Sequence, residues 1–304
     1  MKRITLFFLL LVLCLTMLAA CSNGGPDQTA PSSEPPASSA PVEPSSDPAQ
    51  SSGAVESVPV SEVVSTPEPQ PSQEQGGTYT FGQSVPESEE VEESWFEDAV
   101  FLGDSRTEGL QLYSGLHEGD FFWHKGMTVF RVDDEDYRQI EVEGQKMTMM
   151  EALSRKQYAK VYIMIGINEL GYPASSYEKG LNAMVDRVKE LQPNAVIYLQ
   201  TLPPVNEGKA AESGLGSYIN NTNVNAFNEI IVETAKEKQV ALLDVASVFR
   251  SEQGDLPADM ASDGVHFKKD GYQLWYAYLR CHVLTAEEYA NAQPAADDIQ
   301  SSEG

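Results

Sequence analysis

Basic residues are scarce in this chain of 304 residues: 20 Lys and Arg stand against 46 Asp and Glu, a formal charge of −26. A surface of that sign repels phosphate backbones and argues against nucleic acid as a partner. Cysteine is scarcer still, with three in all. Cys14 lies in an apolar leader and Cys21 at its end, so Cys281 stands alone and no disulfide framework can be built. Cys281 falls in the apolar run 274–284 and is expected in the core. There are only four histidines and no Cys/His cluster at zinc spacing, so no metal site is expected. No Gly-x-Ser-x-Gly elbow surrounds any serine of the domain, which argues against the ordinary α/β-hydrolase nucleophile.

What is present begins with the leader. Lys2 and Arg3 precede an apolar stretch over 4–18, and Leu18-Ala19-Ala20-Cys21 closes it. The stretch is short for a membrane span and has the layout of a secretory signal. The cysteine at the cleavage point resembles that of a bacterial lipoprotein, which would carry lipid on Cys21 and hold the protein at the membrane. Residues 22–91 are expected as a disordered linker rich in Pro, Ser and Glu. Thirteen acidic residues and no Lys or Arg fall between 22 and 94. Such a segment cannot bury enough apolar surface to offset its ordering entropy, and as a flexible coil it would span roughly 50 Å. A domain is expected over 92–289, long enough for one proper core, and a disordered tail over 290–304.

Within the domain, five short apolar segments read as buried strands: 99–102, 120–124, 160–165, 195–200 and 240–243. Amphipathic stripes fall between them. Tyr177, Leu181, Met184, Val185, Val188 and Leu191 make one; Val224, Phe227, Ile230, Ile231 and Ala235 make another; a third runs from Tyr272 to Val283. Thr148 and Glu151 are spaced as a capping box. The alternation predicts a parallel sheet with helices on both faces, and a ligand site at the carboxyl ends of its strands.

The chemistry-bearing residues fall at that edge. Ser105 follows the first strand in Gly103-Asp104-Ser105, a turn that by itself reads equally well as a helix N-cap. Gly126 follows the second, either as a backbone donor near the substrate or as a bend before a strand over 128–130. Gly166 and Asn168 follow the third; the amide of Asn168 suits a developing oxyanion. Asp263-Gly264-Val265-His266 follows the fifth. A carboxylate three residues before a histidine, with glycine between, can fold back on the imidazole and fix its tautomer. His266 must be neutral to take a proton from Ser105, so activity is expected to fall in acid. Asp104 is expected to stabilise its turn rather than to act on substrate.

In this order the four elements resemble the blocks of the SGNH/GDSL hydrolase family over about 170 residues, with Thr201-Leu202-Pro203-Pro204 also in keeping. Two positions depart from the pattern: Arg106 stands where the family name has leucine, and Glu169 follows Asn168 where aspartate is frequent. The resemblance implies a three-layer α/β/α sandwich with a five-stranded parallel sheet of flavodoxin-like type and no metal or organic cofactor. It implies a Ser105, His266, Asp263 triad, with an oxyanion hole from Ser105, Gly126 and Asn168. For a chain expected to be a monomer anchored outside the membrane, it implies a serine esterase of O-acetyl groups on carbohydrate or cell-wall glycan. The alternatives are an O-acetyltransferase with the same triad, or a non-catalytic glycan-binding lipoprotein. The charged segment 131–144 is expected as a hairpin beside the site that tunes specificity.

Overall fold

The computed structural model describes residues 78–137 and 139–294. The expected leader with Cys21, the linker up to residue 77 and the tail beyond 294 lie outside the described residues.

Five parallel strands form the central sheet: β1 (Ala99–Gly103), β2 (Asp120–Trp123), β5 (Lys160–Met164), β6 (Val196–Gln200) and β7 (Ala241–Leu243), in the order β2-β1-β5-β6-β7. Each stands where the apolar runs place one. All residues of β1, β5, β6 and β7 are buried, as strands covered on both faces must be. Register is fixed by an aromatic ladder. Phe121, Phe101, Tyr162 and Tyr198 are cross-strand partners on four successive strands, with ring centres 4.6–4.8 Å apart. A slip of one residue would turn every ring to the opposite face.

Helices α1 (Ser105–Tyr113) and α6 (Lys269–Arg280) pack together, as do α3 (Ala174–Leu191) and α5 (Asn221–Lys238). Tyr177 of α3 stacks on Phe227 of α5 at 4.2 Å, the meeting of the two sequence stripes. Trp275 of α6 is fully buried and donates its indole N–H to Gln200 at 2.9 Å. Three short helices complete the set: α2 (Met149–Ser154), α4 (Glu207–Glu212) and α7 (Ala286–Ala290). Thr148 caps α2 by accepting from the Glu151 N–H at 3.0 Å, but Glu151 leans toward Arg155 instead of closing the box.

Four expectations need correction. The domain begins before residue 92: Tyr79, Phe81 and Val85 are buried, and Val85 donates its N–H to Leu242 of β7 at 2.8 Å. A few apolar anchors in a polar run are enough to cover the open edge of the sheet at β7. It also ends later than 289, because Gln293 exchanges backbone hydrogen bonds with Tyr79 and Phe81. Cys281 is not in the core but half-buried at the end of α6, since the helix stops at Arg280. Residues 128–130 form a turn and not a strand. The Val129 N–H is taken by the Glu169 carboxylate and the Arg131 N–H by the Thr128 carbonyl. The charged segment does lead into a hairpin, β3 (Ile140–Val142) and β4 (Gln145–Met147).

Candidate active site

The strand order reverses between β1 and β5, and a crevice opens at the carboxyl ends of strands at such a switch point. Ser105 stands at the end of β1 as the first residue of α1. Asp104 is the N-cap: its buried carboxylate accepts from the Arg106 N–H at 2.9 Å, the turn-stabilising part expected of it. The first N–H groups of a helix have no intrahelical acceptor, so the Ser105 N–H is open to a partner outside the helix.

The loop after β7 brings the histidine across. His266 Nε2 lies 2.7 Å from Ser105 Oγ, and its Nδ1 lies 2.7 Å from Asp263 Oδ2. Asp263 Oδ1 accepts the N–H groups of Val265 at 3.0 Å and His266 at 2.8 Å. Burial works to raise the Asp263 pKa. The His266 N–H, the imidazole and the Val265 N–H together hold it below the usual carboxylate range, so it is charged at neutral pH. Gly264 makes the turn possible. Its φ is +94°, and a Cβ there would stand 2.3 Å from the Ala210 nitrogen of α4.

Gly126 and Asn168 line the same cleft, of about 760 Å³, with Ser105, Asp263 and His266. Gly126 sits in a turn closed by the Met127 N–H on the His124 carbonyl at 2.9 Å, with φ +70°. It is thus both a bend and a wall of the cleft. Asn168 Nδ2 donates to the Met127 carbonyl at 2.9 Å and to Asp104 at 3.2 Å. The first bond fixes the amide against the Gly126 turn; the second is long and directed at a side chain next to Ser105. Lys125, Lys268, Lys269, Tyr113 and Tyr272 complete the walls that matter below. No described residue of 131–144 lines the cleft, so the structure does not place that segment beside the nucleophile.

Two buried ionisable residues support the site, and neither apolar periodicity nor motif spacing announced their roles. Arg106, with no exposed surface, donates Nε–H to the Val265 carbonyl and Nη1–H to the Pro203 carbonyl, each at 3.1 Å. Its guanidinium lies 5.3 Å from the centre of the Phe267 ring. Glu169, also without exposed surface, accepts the Val129 N–H and thereby ties the Gly126 turn to the end of β5. The signal for both was their departure from the family pattern.

Burial raises Glu169 from 4.5 to about 8, opposed by the Val129 N–H and aided by the charge of Asp104. Burial likewise raises Asp104 to about 6, against the Arg106 N–H and the charges of Arg106 and His266. A carboxyl whose folded pKa is raised binds its proton more tightly in the folded state. The stability from Glu169 is therefore complete below pH 4.5 and lost as pH rises through 8. The thermal midpoint is expected to fall between pH 6 and pH 9. Glu169→Gln, neutral at every pH and still able to accept from Val129, should flatten that fall by several degrees in calorimetry. An equally steep fall in the variant would remove Glu169 as its source.

The model of the GDSL-like lipase/acylhydrolase family matches residues 101–274, more than half of the chain. The isoamyl acetate-hydrolyzing esterase of Saccharomyces cerevisiae is 28% identical over 71 residues, 23% of this chain; the match spans only 30% of that enzyme's length. Among solved structures, a Streptococcus pneumonia protein provisionally described as platelet activating factor is 22% identical, covering 60% of this chain and 82% of its own, with a TM-score of 0.49. A GDSL-like lipase from Bacteroides thetaiotaomicron is 16% identical, covering 60% and 85%, with a TM-score of 0.45.

Proposed function

Because the chain belongs to the GDSL-like lipase/acylhydrolase family and is an ester-hydrolysing enzyme, we propose that it removes small acyl groups, acetyl first among them, from carbohydrate or cell-wall glycan outside the cell membrane, with Ser105, His266 and Asp263 as its triad. The single observation that carries the triad is the unbroken hydrogen-bonded line from Ser105 Oγ through the imidazole to Asp263, 2.7 Å at each step.

The reaction is acyl transfer in two steps. Ser105 Oγ attacks the ester carbonyl as His266 Nε2 takes its proton; the new C–O bond gives a tetrahedral intermediate. That intermediate collapses by expelling the sugar alkoxide, which receives the proton from His266. Water then enters, gives a proton to His266 and attacks the acyl-serine, and collapse releases the carboxylic acid and restores Ser105. Asp263, charged and held by two backbone N–H groups, keeps the proton on Nδ1 and stabilises the imidazolium. The oxyanion would lie among the Ser105 N–H, the Gly126 N–H and Asn168 Nδ2. With one amide hydrogen fixed on the Met127 carbonyl, the other exchanges its long bond to Asp104 for the stronger acceptor as charge develops. Asn168→Ala is accordingly expected to leave the fold intact and to lower kcat about 10²–10³-fold. A rate near that of the parent would exclude the amide from the hole.

Tyr113, half exposed on the rim, and Tyr272, 5.7 Å away ring to ring, give the cleft an aromatic wall of the kind that sugar rings lie against. A glycan-binding protein without turnover would have no use for the contact between Ser105 and His266. The lipid anchor at Cys21 and the acidic linker would set the domain off the membrane toward wall polymers. The test is covalent capture: a fluorophosphonate probe applied to the full chain, with its site read by mass spectrometry beside p-nitrophenyl acetate turnover. Labelling of Ser105 in step with loss of turnover supports the proposal. A hydrolytic chain that labels elsewhere, or not at all, refutes the assignment.

A further inference from the structure

The domain between 78 and 294 carries 35 acidic residues against 18 basic ones. Its field repels anions almost everywhere. Yet three of its eleven lysines come together at the one cleft: Lys125, beside Gly126, and Lys268 and Lys269, just beyond His266. We infer that the cleft takes its acyl ester on an anionic carrier, a sugar bearing a carboxylate or phosphate, with Lys268 and Lys269 as the specificity-determining residues that receive the anion. The inference rests on the esterase reading and refines its substrate.

The charges of the cleft separate into committed and uncommitted ones. Asp263 is bound to His266, and Glu108 pairs with Lys125 at 3.2 Å. Lys268 and Lys269 are exposed and form no ion pair with any described residue. Elsewhere most lysines are matched. Lys156 meets Asp120, Lys160 meets Asp98 and Lys238 meets Asp186, while Lys189 and Lys209 reach backbone carbonyls.

The position of the two lysines is also unfavourable in the free protein. Lys268 is the N-cap of α6 and Lys269 its first residue; no side chain caps the helix there, and Asp270 is the sole acid of the first turn. The N-terminal end of a helix is already partly positive, so cations there are repelled and capping residues are ordinarily Ser, Thr, Asp or Asn. An anion seated between the two ammonium groups would relieve that repulsion. Both line the cleft together with His266, so the anion is assigned to the His266 side of the scissile ester. The leaving alcohol takes its proton on that side.

The experiment compares kcat/KM of the full chain on monoacetylated glucose, monoacetylated glucuronic acid and monoacetylated glucose 1-phosphate, at 20 and 300 mM NaCl. The expected result is a preference for an anionic sugar of about tenfold or more at low salt, shrinking as salt rises. A preference for the glucuronate assigns a carboxylate, and one for the glucose phosphate assigns a phosphate. In Lys268→Gln/Lys269→Gln the ratio of anionic to neutral kcat/KM should fall toward one. Lys179→Gln, an exposed lysine of α3 away from the cleft, should leave it as it was. Equal use of all three sugars at both salts overturns the inference, as does a preference that survives the double substitution. Loss of p-nitrophenyl acetate turnover would strike the esterase reading instead. In that event, binding of the same sugars to the Ser105→Ala chain decides the role of the lysines: binding indifferent to their charge overturns it.

Discussion

Ser105→Ala is expected to lower kcat for p-nitrophenyl acetate by on the order of 10⁴–10⁶-fold without loss of fold or of substrate affinity. Ser105 Oγ is the atom that forms the acyl bond, and the methyl of alanine offers no substitute. The fold does not depend on it, because the N-cap of α1 is Asp104 and, among the described residues, the Ser105 hydroxyl bonds to His266 alone. The size of the effect matters less than its pattern. Ser105, His266 and Asp263 act as one device, so His266→Ala should cost about as much. The Ser105→Ala/His266→Ala pair should cost little more than either alone. Asp263→Asn gives a sharper test. The asparagine oxygen can still accept the Val265 and His266 N–H groups, so the loop keeps its shape. The amide now facing Nδ1 favours the wrong tautomer, and kcat should fall by roughly 10⁴. Losses that multiply from one variant to the next would mean that the three side chains do not work together, whatever their distances.

The elements that apolar periodicity could reach were legible in the chain. Every strand of the central sheet lies within a residue or two of its apolar run, because each is covered on both faces. The parallel order follows from the helices between them. The bringing together of Ser105 and Asp263-x-x-His266 was legible for a related reason, since Ser105 follows β1 directly and Asp263 and His266 lie in the loop beyond β7, both at the carboxyl edge of the sheet. What the sequence hid was set by long-range contact. Residues 79–91 read as linker because their composition is polar; three buried side chains and the open edge of β7 hold them in place. The supposed strand 128–130 has suitable residues, but its backbone N–H groups go to Glu169 and to a turn. Arg106 and Glu169 look like surface residues by type. Only tertiary structure shows them buried beneath the cleft, each holding a loop that carries part of the site.

Arg106→Leu, which restores the residue of the family name, is expected to lower kcat about 10–100-fold and to destabilise the fold by about 2–5 kcal/mol. The guanidinium holds two separate segments. Nε–H binds the carbonyl of Val265, which stands between Asp263 and His266 in the chain, and Nη1–H binds Pro203 in the loop after β6. Leucine would leave both carbonyls without a donor in a buried place, each at about 1–3 kcal/mol. It would also remove the larger of the two positive charges that act on the buried carboxyl of Asp104. The catalytic part of the loss is separate from the loss of stability. His266 must stay within hydrogen-bond reach of Ser105, and a shift of about 1 Å in that loop is worth up to 10²-fold in rate. Arg106 touches no substrate and is a positioning residue, so KM should change little while kcat falls. Arg106→Lys keeps the charge but presents a single ammonium where two donors diverge, and it should recover stability more than rate. The measurement is kcat and KM for both variants at a temperature where each is shown to be folded, beside the labelling rate of Ser105 by the fluorophosphonate. If the leucine variant is destabilised but labels and turns over at the parent rate, Arg106 supports the fold alone and the catalytic loop keeps its place without it.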